Sequence, residues 1–135
     1  MHRAVGAADE DGAHMAELVA ICGTHEIPEG TMRRFTLGGE DILIARVDGM
    51  YYAIDDRCGH MNVSLCDGVL EGATVTCPLH AAQFDVRDGR VARPSEPKQF
   101  VARHGQVGKQ LAFIQTRPVR SYPVVVEGGT VYIRR

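Results

Sequence analysis

Residues 58–80 read CGHMNVSLCDGVLEGATVTCPLH. At the two ends of this stretch stand Cys58-Gly59-His60 and Cys77-Pro78-Leu79-His80, and sixteen residues separate His60 from Cys77. Each piece follows a strand candidate, where a tight loop can aim two side chains at one point. Two thiolates and two imidazoles suit zinc or an iron–sulfur cluster. Structural zinc usually draws its ligands from Cys-x-x-Cys knuckles or a His pair on a helix, and neither spacing occurs here. A two-iron cluster can divide the set, with two Cys on one iron and two His on the other. Each loop then supplies one ligand to each iron. Zinc at the same four residues, and a chance meeting of buried cysteines with surface histidines, are the alternatives.

The sequence around this stretch reads as short strands between turns. Residues 17–22 are apolar and β-branched, and residues 25–30 form a turn. Strands are expected at 32–37, 42–47 and 50–54, with Asp48-Gly49 as a two-residue hairpin turn. Residues 75–77, 83–86 and 90–92 are short strands, the last two joined at Asp88-Gly89. Residues 122–126 and 130–133 form a closing hairpin through Gly128-Gly129. The pattern is an all-β domain of antiparallel sheets. Residues 1–14 are small and polar with an acidic cluster, and are expected to be a flexible extension before a domain at 15–135. Residues 95–118 break the rhythm, with Pro94 and Pro97 near the start and Pro118 at the end. Phe100, Val101, Val107, Leu111, Phe113 and Ile114 could share the face of a short helix there, though Gly105 and Gly108 weaken it.

Composition bounds the function classes. In 135 residues, 44% are hydrophobic and 24% charged, ordinary for a globular chain. Fifteen Lys and Arg against seventeen Asp and Glu leave a formal charge of -2, with no basic excess for nucleic acid. No apolar stretch approaches the roughly 18–20 residues of a membrane helix, and residues 1–11 carry no secretory apolar core. A cytoplasmic location follows as the expectation. Cysteines there are more often ligands or redox groups than disulfides. Cys22 lies on a strand pattern and reads as core; Cys66 lies between the two motifs and reads as a thiol without a ligand partner. His2, His14, His25 and His104 are isolated and read as solvated. Residues 55–57, Asp-Asp-Arg, read as a structural loop that a salt bridge could orient.

The double motif resembles that of the Rieske iron–sulfur proteins, in which Cys-x-His and Cys-x-x-His boxes are similarly spaced. The resemblance covers about residues 16–133, apart from 95–118. It implies a Rieske-type fold with a small cluster-binding subdomain at about 56–94. It also implies one 2Fe-2S cluster, with Cys58 and Cys77 on one iron and His60 and His80 on the other. With neutral imidazoles, the oxidised cluster and its two thiolates sum to zero charge. A four-cysteine cluster starts two charges lower, so His ligation raises the potential.

Departures from the family's high-potential members lower it again. Their extra disulfide cysteines correspond to Val63 and Leu79, and the Ser two residues after their second His corresponds to Ala82. Fewer hydrogen bonds to the cluster leave its reduced state less stabilised, as in a low-potential ferredoxin. Met61, Leu79 and Ala81 adjoin the ligands and could shield the cluster or ring a docking patch.

The chain shows no dinucleotide loop, and it lacks room for an oxygenase's catalytic domain. The expected role is therefore an electron carrier rather than an enzyme. It would run from a flavin or iron–sulfur reductase to a terminal enzyme such as a ring-hydroxylating dioxygenase. A small subunit of a larger oxidoreductase, like that of cytoplasmic nitrite reductase, and a zinc-stapled binding module are the competing readings. The oligomeric state is not legible.

Overall fold

The computed structural model describes residues 17–58, 63–79, 81–94 and 116–135. Eleven strands among them form three antiparallel sheets. The first sheet has the order β1 (Leu18–Gly23), β11 (Thr130–Arg134), β10 (Val124–Glu127). The second runs β2 (Met32–Leu37), β3 (Glu40–Val47), β4 (Met50–Asp55), β9 (Ser121–Tyr122). The third is β5 (Val69–Glu71), β6 (Thr74–Thr76), β7 (Gln83–Asp85), β8 (Val91–Arg93).

Strand β3 shows why the sheets stack as they do. Ile42, Leu43, Ile44 and Ala45 are all fully buried, which requires cover on both faces of the strand. Successive side chains point to opposite faces. Ile42 and Ile44 join one core with Cys22, Ala53, Tyr122, Val131 and Ile133. Leu43, Ala45 and Val47 join the other, with Ile54, Cys58, Leu65, Val75, Cys77 and Phe84. The second sheet thus lies between the terminal hairpin and the sheet that carries the second cysteine box. Its hairpin turns where expected: Asp48 and Gly49 both have positive φ, 52° and 79°, as a type I′ turn requires. The Glu29 carboxylate accepts their N–H groups at 2.6 and 2.7 Å.

Three sequence expectations need revision. Residues 122–126 do not form one strand. Pro123 offers no N–H to a ladder; Tyr122 pairs with Ala53 in the second sheet, while Val124 pairs with Ile133 in the first. The strand expected at 75–77 spans Thr74–Thr76 and leaves Cys77 outside it. Residues 69–71, where no strand is expected from the sequence, form β5 against β6. The extension at 1–14 and the helix suggested within 95–115 fall outside the described residues, and 116–118 lead into β9 without regular structure. No helix among the described residues is long and apolar enough to cross a membrane.

Candidate metal centre

Strand β4 ends at Asp55, and Cys58 follows it; strand β6 ends at Thr76, and Cys77 follows at once. Arg57 bridges to Ser64, antiparallel, and Thr76 pairs with Gln83. Both pairs therefore close a six-residue loop, 58–63 and 77–82, with cysteine as its first residue. The closure inside each loop also matches. The Cys58 N–H donates to the Val63 carbonyl at 2.8 Å and the Cys77 N–H to the Ala82 carbonyl at 2.7 Å. In sequence, His60 is third in its loop and His80 fourth in its own. Both cysteines are buried, in one core with Leu65, Val75, Ala82 and Phe84.

The necks below the loops differ. The second is a β-ladder, with Val75 and Phe84 paired and fully buried beneath it. The Gln83 side-chain amide donates to Thr76 Oγ1 at 3.1 Å. The first neck is polar. Asp56 is 1% exposed, and its Oδ1 accepts the Cys66 N–H at 2.8 Å while its Oδ2 accepts the Ser64 hydroxyl at 2.5 Å. Its carbonyl accepts the Leu65 N–H at 2.7 Å, and its own N–H donates to the Asp41 carbonyl. Burial pushes the Asp56 carboxyl above its ordinary range, and the bonds from Ser64 and Cys66 and the Arg34 charge oppose that rise. Gly68 lets the inter-box segment press against the end of β6, just before the second loop. A Cβ there would lie 1.9 Å from the Thr76 carbonyl oxygen. Ala81, with φ 63°, turns the second loop in the left-handed region and donates its N–H to the Cys77 carbonyl.

Residues 17–123 match the sequence description of the Rieske 2Fe-2S domain. The chain belongs to the Rieske family. It is 38% identical over 114 residues to the 3-phenylpropionate/cinnamic acid dioxygenase ferredoxin subunit of Photorhabdus laumondii subsp. laumondii, covering 84% of this chain and 90% of that relative. Among solved structures, the ferredoxin of carbazole 1,9a-dioxygenase from Nocardioides aromaticivorans IC177 superposes with a TM-score of 0.67 at 26% identity, covering 86% of this chain and 95% of that one. A chain from the complex of reduced oxygenase and oxidized ferredoxin in carbazole 1,9a-dioxygenase gives 0.65 at 27% identity, with 86% and 91% covered.

One 2Fe-2S cluster is the cofactor of this Rieske domain, and the donor set suits it. Two thiolates set in an apolar core would be costly to ionise alone, and a bound cationic centre removes that cost. In sequence, one histidine follows each of these two cysteines within its loop, the residue types that the mixed ligation of a Rieske centre calls for. His60 and His80 lie outside the described residues. Among the described residues, no three His, Cys, Asp or Glu side chains are grouped to hold a metal. No disulfide joins the four cysteines. Val63 and Leu79, at the positions where high-potential members of the family carry that bridge, are half-buried apolar side chains.

The secondary cysteines separate as expected. Cys22 is 8% exposed and its thiol is pushed up to about 11, chiefly by burial. Cys66 is half-buried and also raised by burial, with the Asp56 charge adding to it. His25 is exposed. Sequence reasoning took Asp56 as part of a structural loop and missed the density of bonds on it. The signal available was an acidic residue two places before a cysteine ligand candidate, with Ser64 eight places on.

Proposed function

We propose that this Rieske protein is a one-electron carrier in a ring-hydroxylating dioxygenase system. It would take its electron from a flavin or iron–sulfur reductase and deliver it to a terminal oxygenase. The observation that carries the reading is the pair of equal six-residue loops, each led by a buried cysteine and each with a histidine in its sequence. The relatives named as dioxygenase ferredoxin subunits, which the chain matches over most of its length, support the partner class. The ligands in this reading are Cys58, His60, Cys77 and His80, carried by a cluster-binding unit at about 56–94. When bound, the cluster supplies a one-electron couple.

The chain's own residues do the rest. Cys58 and Cys77 hold one side of the centre as thiolates. Leu65, Val75, Ala82 and Phe84 keep water from it on the inner side. The loop necks hold the donors fixed, so little rearrangement accompanies the change of charge. Ala82 is fully buried and carries no hydroxyl to donate, which favours a low midpoint potential. A cytoplasmic setting is consistent with four unbridged cysteines.

The test is absorption and EPR of the purified chain, with iron and sulfide analysis, before and after dithionite. The expected result is a red-brown protein with paired iron and sulfide and an EPR signal that appears only on reduction. A colourless protein with stoichiometric zinc would overturn the reading. Reduction by a candidate reductase and reoxidation by a terminal oxygenase then identify the partners.

A further inference from the structure

Asp56 is the buried charged side chain among the described residues. A carboxylate taken out of water is costly unless hydrogen bonds occupy its lone pairs. Here they do, and they converge on one place. Three of the four bonds made by Asp56 go to Ser64, Leu65 and Cys66, the residues just beyond the first loop. The fourth ties its N–H to the Asp41 carbonyl on β3. A second strand joins in: the Arg34 guanidinium on β2 donates to Ser64 Oγ at 2.8 Å and stands 3.8 Å from Asp56 Oδ2.

The placement has a geometric reason. The second loop is closed by two paired strands. The first cannot be, because residues 65–67 after it form a 3-10 turn (Leu65–Asp67) rather than a strand, leaving the single Arg57–Ser64 bridge. A 3-10 turn offers N–H groups that no ladder partner takes. The Asp56 carboxylate takes one of them, Cys66 N–H, and its carbonyl takes another, Leu65 N–H. The carboxylate replaces a strand.

We propose that Asp56, locked by Ser64 and Arg34, is a positioning residue that holds Cys58 in ligand geometry. It thereby governs how tightly the first box retains the cluster and how symmetric the cluster's surroundings are. This rests on the ligand assignment in the functional reading above. Hydrogen-bonded groups behind metal ligands typically alter metal affinity by 10–100-fold.

The test compares the full-length wild type with Asp56→Ala, Asp56→Asn, Ser64→Ala and Ile133→Ala. The last loosens the far core without touching either loop. Three quantities are read: the half-life of the visible absorption under an iron chelator, the EPR g values of the reduced protein, and the melting temperature. Asp56→Ala is expected to lose the cluster at least about tenfold faster and to shift the g values. Asp56→Asn keeps an acceptor for Cys66 N–H and a group that can bond Ser64, so it should stay within about threefold of wild type. Ile133→Ala should lower the melting temperature yet keep wild-type g values and chelator resistance.

The proposal falls if Asp56→Ala matches wild type. It also falls if both Asp56 variants and Ile133→Ala lose the cluster in proportion to their melting temperatures. Should Asp56→Ala fail to fold, Ser64→Ala carries the test: shifted g values at an unchanged melting temperature support the role, and unshifted ones overturn it. A wild type without the 2Fe-2S spectrum would overturn the functional reading itself, and is distinguished because that measurement precedes every variant.

Discussion

The two cysteine loops begin alike, have the same length and are closed by the same Cys N–H bond, yet what lies beneath them differs. Under the second, Val75 and Phe84 pair across a ladder and bury fully. Under the first, a carboxylate, a hydroxyl and a guanidinium replace the ladder. Apolar burial is strong but non-directional, whereas hydrogen bonds are weaker and fix angles. The second loop therefore draws its rigidity from the same contacts that stabilise the whole core. The first depends on a few polar atoms whose loss need not unfold the chain. Equal loop closure can thus rest on unequal supports, and the supports fail in different ways.

The largest test of their equivalence removes the donors. Cys58→Ala and Cys77→Ala should each leave a colourless chain with iron near zero by elemental analysis. If one variant kept its cluster, the loops would not be equal partners. Next, Phe84→Ala should cost about 3–5 kcal/mol in denaturant unfolding, so that the second loop fails through the fold. Gly89→Ala tests the contact between the Asp88-Gly89 turn of the third sheet and Val119, whose N–H donates to the Gly89 carbonyl at 2.9 Å. A Cβ there would meet the Val119 carbonyl oxygen at 2.0 Å, and φ is +79°. Overpacking and left-handed strain together predict a loss of about 2–4 kcal/mol, measured the same way.

The smallest effect concerns the seam beside the first loop. The Tyr122 hydroxyl donates to Asp55 Oδ1, and Tyr122→Phe should cost about 1–2 kcal/mol at neutral pH. Burial, and then the bond to Asp55, raise the Tyr122 phenol well above its ordinary value. The folded chain holds this proton where the unfolded chain has released it. The contribution is therefore complete below about pH 10 and is lost as pH rises toward the folded value. Stability of Tyr122→Phe should fall less steeply on the alkaline side, as read by unfolding at a series of pH values.

Much of this was legible because it is local. Asp48-Gly49 announces its hairpin through the two positive φ angles that the turn needs. The ligand candidates stand out by spacing alone, and Cys22 declares itself core by its strand neighbours. What was hidden depends on contacts between distant residues. The polar neck needs Arg34 brought beside Ser64 across thirty positions. Strand β5 becomes a strand only because β6 lies next to it, and its three residues carry little pattern of their own. The break at Pro123 was readable from the missing N–H, but the change of sheet there depends on where β4 and β11 lie. Gly68 gives no sign in sequence that a carbonyl sits where its side chain would be.

The pairing of β1 with β11 joins Leu18 to Arg134, whereas every partner in the third sheet lies within residues 69–93. Closing a long chain segment costs entropy before any contact repays it, and long-range pairing slows folding. The two parts should therefore assemble on different clocks. The local meander around the second box can form early, while the chain ends meet last.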